Sequence, residues 1–214
     1  MSRIPREGIL FCLCGPAGVG KTILGKRVLE TYAGTLVRSV SVTTRAPRAG
    51  EVDGESYHFI RRDEFEKRAS EGAFFEWEEV HGNLYGTLKS SLSDVISSGR
   101  DLLLIIEIRG SLAVKRAFPK NAVVIFVVPP SFKELKQRLL GRGADSKQEL
   151  ETRLNTAKGE FEKLLAVEDQ SESVDYLVVN EDLENAFSQL RTLIEAERSR
   201  FERMNRAAVK RLAE

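Results

Sequence analysis

Short apolar runs alternate along the chain with longer amphipathic segments. The runs at 9–14, 102–108 and 122–128 are almost continuously apolar, which is typical of strands buried on both faces. Further strands are predicted at 36–42 and 176–180. The segments between these strands place apolar residues at helical spacing. This alternation predicts an α/β domain whose parallel sheet is flanked by helices.

The segment from residue 43 to residue 87 has a different character. Short strand-like stretches are predicted at 57–60, 74–80 and 83–85. A helix is predicted from Glu64 to Glu71, with Asp63 as its cap and Glu66 in the capping-box position. Short strands clustered in this way predict a small mixed β lobe inserted between the two halves of the α/β core.

The second half of the chain contains several capped helices. One helix is predicted to end at Gly99, and Ser131 and Ser146 are predicted to cap two later ones. The predicted division is a core of 8–42 and 88–196 with a helical lid at about 138–160, the lobe of 43–87, and a charged C-terminal helical tail of 197–214. The apolar stripe thins beyond Arg198, so we expect that end to be loose.

The composition narrows the class of protein. The chain has 214 residues, 42% of them hydrophobic, and its formal net charge is only +1, which argues against general nucleic-acid binding. Cys12 and Cys14 are predicted to share one face of a buried strand as reduced thiols. We therefore expect a cytoplasmic protein, and we expect no membrane partner because no apolar run approaches membrane-spanning length. The N-terminus also lacks the apolar segment of a signal peptide.

The stretch from Gly15 to Thr22 is the strongest chemical signal. It has the spacing Gly, four residues, Gly-Lys-Thr of a phosphate-binding P-loop, and it stands between a predicted strand and a predicted helix. Glycines let backbone N–H groups approach a polyphosphate, and the helix that follows directs its positive end toward the anion. Lys21 supplies a charge for the outer phosphates, and Thr22 offers a hydroxyl to Mg²⁺. The sequence therefore predicts a nucleoside triphosphate site.

Other charged residues allow two interpretations each. Arg45 and Arg48 suit a second anion site, although an isolated pair of arginines is more often a solvated loop. Glu76 and Glu78 share a strand face and could bind a donor-rich ligand or simply face solvent. Glu107 lies near the carboxyl end of a central strand, where ligands bind in open α/β sheets.

Three arginines flank a glycine-bracketed turn, at positions 138, 142 and 153. They could belong to a hinged flap over phosphates or to a charged helical hairpin.

Taken together, these motifs resemble the guanylate kinase family. The resemblance rests on 15–22, on Ser41 to Gly54 followed by Tyr57, on 82–87 and on 141–143, and it runs from about Leu10 to about Leu193. The family transfers the terminal phosphate of ATP to GMP. The resemblance implies that the GMP phosphate is held by Ser41, Arg45, Arg48, Tyr57 and Tyr85.

The same resemblance assigns the remaining site residues. Guanine recognition is implied for Glu76, Thr87 and Glu107, since guanine presents two donors that carboxylates accept. The ATP site is implied to comprise Gly15, Pro16, Ala17, Gly18, Val19, Gly20, Lys21, Thr22 and Asn180. Catalysis is implied for Lys21, Arg45, Arg138, Arg142 and Arg153.

The sequence departs from the family pattern at one strand. Ile105 stands where an acid is usual, Glu107 where an aspartate is commoner, and Arg109 where a glutamine is usual. The first change bears on magnesium placement, although Thr22 and the phosphates can still hold the ion.

The alternative functions are a kinase of the same fold acting on a ribose bisphosphate, a non-catalytic domain that binds protein, and a regulatory nucleotide sensor. The expected oligomeric state is monomer or homodimer.

Overall fold

A five-stranded parallel sheet forms the centre of the computed structural model, which describes residues 5–141, 147–166 and 173–213. The strands are β1 (Leu10–Cys14), β2 (Leu36–Arg38), β7 (Asp101–Ile105), β8 (Ala122–Val128) and β9 (Tyr176–Val179). They lie in the order β2-β7-β1-β8-β9, and every neighbouring pair is parallel. This arrangement confirms the predicted class of fold.

Alternate residues of the central strand face opposite sides of the sheet. Phe11 and Leu13 belong to one buried apolar cluster, whereas Leu10, Cys12 and Cys14 belong to the other. Both cysteines are buried free thiols, and their place in the same cluster confirms that they share a face. A sheet covered on both sides explains why its strands are almost continuously apolar.

Helices cover both faces of the parallel sheet. They are α1 (Lys21–Thr31), α3 (Ser90–Ser98), α4 (Ile108–Ala117), α5 (Phe132–Gly141), α6 (Lys147–Leu165) and α7 (Leu183–Arg198). The prediction that Ser131 caps α5 is confirmed, because its hydroxyl accepts from the Glu134 N–H at 3.1 Å. Gly99 ends α3 with a φ of 69°, as predicted. The other predicted cap, Ser146, lies outside the described residues.

A second, mixed sheet of four strands packs beside the first. The elements of this lobe are β3 (Val42–Thr43), β4 (His58–Phe59), α2 (Arg62–Ser70), β5 (Phe74–Val80) and β6 (Asn83–Leu88). The strand order is β4-β3-β6-β5, with β3 parallel to β4 and β6 antiparallel to both β3 and β5. The small core of the lobe consists of Val42, Phe65, Phe74 and Leu84.

Two predicted strands had wrong boundaries. The strand predicted at 36–42 is two strands, because the chain leaves the parallel sheet after Arg38 and joins the mixed sheet at Val42. The strand predicted at 102–108 ends at Ile105, and Glu107 is instead the N-cap of α4.

The predicted Asp63 cap is also wrong. Helix α2 starts at Arg62, and its N-cap residue, Arg61, makes no side-chain cap hydrogen bond. Glu66 accepts a hydrogen bond from Arg62 at 2.9 Å, so it does not complete a capping box.

The C-terminal residues pack more firmly than we expected. Arg198 is buried and donates to Asp101 at 2.8 Å, and Arg6 donates to the same carboxylate at 2.7 Å. A 3-10 helix, Phe201–Arg203, and α8 (Arg206–Lys210) follow. Arg203 pairs with buried Glu197 at 2.6 Å.

Among the described residues, none of the helices is long and apolar enough to cross a membrane.

Candidate active site

A cleft of about 240 Å³ opens where the carboxyl ends of β1 and β7 meet the mixed sheet. Ligands of open α/β proteins bind at this edge of the sheet. The cleft is lined by Pro16, Ala17, Gly18, Gly20, Lys21, Thr22, Ser41, Arg48, Tyr57, Glu76, Glu78, Val80, His81, Tyr85, Gly86, Ile105, Ile106, Glu107 and Arg153. Residues that are far apart in the sequence therefore meet at one cavity.

A second surface depression, of about 540 Å³, runs along β9 and α7. Its lining includes Glu181 and Asp182 but no lysine or arginine among the described residues. Because a polyphosphate requires positive charge or oriented N–H groups, this depression does not suit such a ligand.

Backbone geometry shapes the loop between β1 and α1. Gly15 has a φ of 127°, and a Cβ there would lie 2.2 Å from the Val127 carbonyl oxygen. Gly20, the N-cap of α1, has a φ of 97°, and a Cβ there would lie 2.4 Å from the Asn180 amide nitrogen. Only glycine fits positions with both a positive φ and so little space. The loop thus brings the N-terminus of α1 to the cleft.

Side chains stabilise this loop from both sides. The Lys21 ammonium donates to the carbonyl oxygens of Gly15 and Pro16, the latter at 3.0 Å. The Asn180 amide is buried and donates to the Val19 carbonyl oxygen at 2.7 Å. Asn180 was predicted to lie by ATP, but its side chain packs behind the loop and does not line the cleft.

The arginine-rich loop after β3 is held by a carboxylate. Arg45 pairs with Glu51 at 2.9 Å and donates to the Tyr85 hydroxyl at 3.2 Å. The same carboxylate accepts from the Arg48 N–H at 2.7 Å. Burial opposes ionisation of Glu51, but these hydrogen bonds outweigh it and hold its pKa below the ordinary value. Arg48 lines the cleft, whereas Arg45 does not line it and contacts the cleft residue Tyr85.

Tyrosines pack against this loop. The Tyr57 and Tyr85 rings meet edge to face with centroids 6.0 Å apart, and the Arg45 guanidinium lies 5.6 Å from the Tyr57 centroid. Both tyrosines line the cleft with Ser41. Four of the five residues that the resemblance assigns to a phosphate thus reach the same cavity.

Two glutamates of β5 share one face of the strand, as the alternation predicted, and that face meets the cleft. Glu76 and Glu78 point inward, while Trp77 and Glu79, at the alternate positions of the strand, are exposed. Gly110 of α4 gives Glu76 its space, because a Cβ there would lie 2.8 Å from a Glu76 carboxylate oxygen. Burial raises the pKa of Glu76, and the neighbouring Thr87 opposes that shift without cancelling it.

Glu107 reaches the cleft from the start of α4. Its backbone is extended, and its carbonyl oxygen accepts from the Ser111 N–H at 3.0 Å and the Ser111 hydroxyl at 3.1 Å. Its side chain makes no cap hydrogen bond, which leaves the carboxylate directed to the cleft rather than to its own helix.

Not every candidate residue lines the cavity. Thr87 is fully buried opposite Glu76, and its hydroxyl has no partner with hydrogen-bonding geometry among the described residues. Arg138 donates to the carbonyl oxygens of Asn180 at 2.8 Å and Glu181 at 3.4 Å, at the end of β9. Arg153 lines the cleft. Arg142 lies outside the described residues.

Sequence reasoning missed two acidic residues. Glu51 lies within the stretch that carries the resemblance but was given no role, and its contact with both arginines depends on how the loop folds. Glu160 on α6 is 3% exposed, within hydrogen-bond distance of the Glu107 carboxyl. It lies on the apolar stripe of its helix with Leu150 and Ala157, and an acid at an inward helical position was a detectable signal.

The parallel sheet, the glycine loop and the cleft together define a P-loop nucleotide-binding protein. The sequence profile described as guanylate kinase matches residues 8–197. The chain therefore belongs to the guanylate kinase family, a family of nucleoside monophosphate kinases.

Individual relatives agree with this assignment. The chain is 42% identical to guanylate kinase of Geobacter metallireducens, over 91% of this chain and 92% of that one. It is also 42% identical to guanylate kinase of Thermotoga maritima, over 92% of this chain and 91% of the relative. A crystal structure of guanylate kinase from Anaplasma phagocytophilum superposes with a TM-score of 0.75 at 31% identity, covering 94% of this chain and 92% of that one.

Proposed function

We propose that this enzyme transfers the terminal phosphate of ATP to GMP, and also to dGMP, giving ADP and the nucleoside diphosphate. One observation carries the proposal: the P-loop, the Arg48–Tyr57–Tyr85 group and the Glu76–Glu107 pair all line the same cleft. In this proposal residues 43–87 are the acceptor lobe and 138–160 the lid over the rest of the core.

The donor side of the cleft suits a triphosphate. The N-terminus of α1 and the N–H groups of the loop carry the partial positive charge that phosphate oxygens require. Lys21 is close enough to exchange its contacts with loop carbonyls for contacts with the outer phosphates. Arg153 adds charge at the cleft, and we assign Arg138 and Arg142 to the same lid on the basis of the resemblance.

The acceptor side suits a guanosine monophosphate. Arg48, Tyr57, Tyr85 and Ser41 can donate to its phosphate, and Arg45 can join them by leaving Glu51. Glu76 and Glu107 can accept from guanine N1–H and its exocyclic amine. Adenine has an acceptor at N1, so it would leave a carboxylate unsatisfied, and this penalty supplies the discrimination.

The donor set fits a magnesium ion held mainly by phosphate. Thr22 contributes a hydroxyl at the cleft, while the position at the end of β7 that would supply a carboxylate is Ile105, packed against Gly25 of α1. The described residues contain no group of three or more His, Cys, Asp or Glu side chains arranged for a metal. When bound with ATP, Mg²⁺ supplies positive charge to the phosphates and takes most of its ligands from them and from water.

We propose a direct in-line reaction without a covalent enzyme intermediate. An oxygen of the GMP phosphate forms a bond to the terminal phosphorus of ATP as the bond from that phosphorus to the bridging oxygen breaks, and ADP leaves. A phosphate oxygen is already ionised, so no strong base is required. Lys21 and the arginines stabilise charge on the group in transfer, and the cleft walls exclude water.

The residues disfavour two of the three alternative functions. A ribose bisphosphate kinase has no need for the Glu76–Glu107 pair, which is positioned for a donor-rich base. A protein-binding domain without catalysis has no need for the complete loop of Gly15 to Thr22. Only Ile105 in place of an acid favours the second alternative.

The test is ADP production from Mg-ATP against a panel of acceptors: GMP, dGMP, AMP, UMP, CMP and ribose 1,5-bisphosphate. We expect turnover with GMP and dGMP and at least about 100-fold lower kcat/KM with AMP. Turnover only with ribose 1,5-bisphosphate would select the sugar kinase, and no turnover with any acceptor would select the non-catalytic domain.

A further inference from the structure

Glu160 is a buried acid that the proposed reaction does not use. It lies on α6, 3% exposed, and no N–H or O–H group of the described residues donates to its Oε2 atom. A buried carboxylate is unfavourable unless it is paired or neutral. An acid kept at such a position therefore calls for an explanation.

The charged and titratable groups around Glu160 come from four elements. Glu107 at the N-cap of α4 lies within hydrogen-bond distance, Lys21 faces it from the start of α1, Lys163 from its own helix, and the Cys14 thiol from β1. Burial is the largest influence and, with the Glu107 carboxylate, raises the pKa of Glu160 to about 9, against the opposing effect of the lysines.

Two carboxyl groups that share a hydrogen bond need one proton between them. Glu107 lines the cleft, and Glu160 is buried behind it. The buried Glu160 carboxyl therefore holds the proton and donates, and Glu107 accepts. Lys21 is not the hydrogen-bond partner that explains Glu160, because its ammonium donates to the carbonyl oxygens of Gly15 and Pro16.

We propose that Glu160 is a positioning residue for recognition of the acceptor base. Its protonated carboxyl donates to one oxygen of Glu107 and directs the other oxygen toward the cleft, where guanine binds. The inference rests on the proposed function, in which Glu107 accepts from guanine. It links α6, the helix that carries Arg153, to specificity for the acceptor base.

The test compares Glu160→Gln, which keeps a donor but cannot ionise, with Glu160→Met, which keeps the length and removes the donor. Glu162→Gln, an exposed neighbour on the same helix, is the matched control. At about pH 7.5 we expect Glu160→Met to raise KM for GMP about tenfold, with KM for ATP within about twofold and kcat within about threefold. Glu160→Gln should match the wild type.

The pH profile separates positioning from a merely structural role. Between about pH 8 and pH 9.5 the wild-type Glu160 loses its proton and can no longer donate to Glu107, whereas the side-chain amide of the Glu160→Gln variant cannot ionise and remains a donor. We expect the ratio of wild-type to Glu160→Gln KM for GMP to rise about threefold or more across this range. Titration of guanine itself is common to both proteins and cancels in the ratio. This comparison stands even if Glu160→Met does not fold.

A double-mutant cycle completes the test. In a Glu107→Gln background, Glu160→Met should raise KM for GMP by less than about twofold, because its effect passes through Glu107. Full additivity, equal rises in KM for GMP and ATP, a loss confined to kcat, or a flat pH ratio would each overturn the inference. If the wild type neither phosphorylates nor binds GMP, both the proposed function and the inference fail. If the wild type uses GMP normally and one of these contradicting outcomes is seen, only the inference fails.

Discussion

The proposed donor and acceptor sides of the cleft are built in different ways. The donor side is a continuous loop whose shape is set by backbone: Gly15 and Gly20 hold positive φ values, and the buried Asn180 amide anchors Val19. The acceptor side is assembled from side chains on a small sheet and an exposed loop, where Glu51 holds Arg45. A backbone site is nearly complete before its ligand binds, whereas the ion pairs of a side-chain site must rearrange.

Because of this difference, we expect substitutions on the donor side to change kcat or KM for ATP. We expect substitutions on the acceptor side to change KM for GMP. A donor-side variant that changes only KM for GMP, or an acceptor-side variant that changes only kcat or KM for ATP, would contradict the comparison. The expected effects range from orders of magnitude in turnover to a few-fold in KM.

The largest effect is expected for Lys21→Ala. Removing the ammonium from the loop withdraws charge from the group in transfer, so kcat should fall at least about 10³-fold while the Kd for GMP changes little. Steady-state kinetics and calorimetric titration with GMP measure the two quantities. Lys26→Ala, on the exposed side of the same helix, is the control and should be as active as the wild type. Turnover of Lys21→Ala near that of Lys26→Ala would contradict the donor site.

Glu76→Gln should be the next largest change. An amide in place of the carboxylate presents a donor to the guanine donors, so kcat/KM for GMP should fall about 100-fold with KM for ATP within about threefold. Steady-state kinetics with each nucleotide varied in turn measure both values. Glu79→Gln, on the outward face of the same strand, is the control.

The pH dependence of Glu76 gives a second measurement. In the proposed function Glu76 must be ionised to accept from guanine, and burial raises its pKa above the ordinary 4.5. The wild-type KM for GMP should therefore begin to rise at a higher pH than for an ordinary glutamate as the solution is acidified. Equal losses for both nucleotides in Glu76→Gln would place Glu76 outside base recognition.

A tenfold effect is expected for Asn180→Ala. Without the amide, the loop loses the hydrogen bond to Val19 and a contact beside Gly20. KM for ATP should therefore rise about tenfold, and KM for GMP should remain unchanged. Asn185→Ala, exposed on α7, is the control. An equal rise in both KM values would mean that the donor loop is not separately stabilised, and the contrast between the two sides would weaken.

The contrast also explains what could be predicted from the sequence. The glycine loop is contiguous, and the buried strands are nearly pure apolar runs, so local pattern was enough for both. The break at 39–41 was missed because apolar spacing continues from Leu36 to Val42 while the chain changes sheets. The change from one sheet to the other depends on contacts between residues far apart in the sequence, and local periodicity does not indicate it.

The site shows the same division. The placements of Glu76 and Glu107 in one cleft depend on β5, α4 and the packing of Gly110 against a carboxylate. No spacing in the chain encodes that meeting, and the resemblance to a family supplied it instead. Arg138 was assigned to phosphate from the same resemblance, yet in this structure its guanidinium contacts the end of β9.

The smallest effect is expected at Glu51, and it addresses the acceptor side alone. Glu51 holds Arg45 through its side chain and Arg48 through its backbone N–H, so Glu51→Gln should loosen the loop and raise KM for GMP about three- to fivefold, with KM for ATP unchanged. Glu55→Gln, exposed in the same loop, is the control. A fall in KM for GMP would instead mean that Glu51 competes with the phosphate for Arg45.

Stability against pH tests the same ion pair without any substrate. The pKa of Glu51 is lowered on folding from 4.5, so its contribution to stability is present above that value and is lost as the pH falls through the folded value. The difference in urea midpoint between wild type and Glu51→Gln should therefore be largest near neutral pH and should shrink in acid. A difference independent of pH would show that Glu51 acts by packing rather than by charge, and the acceptor loop would then be as fixed as the donor loop.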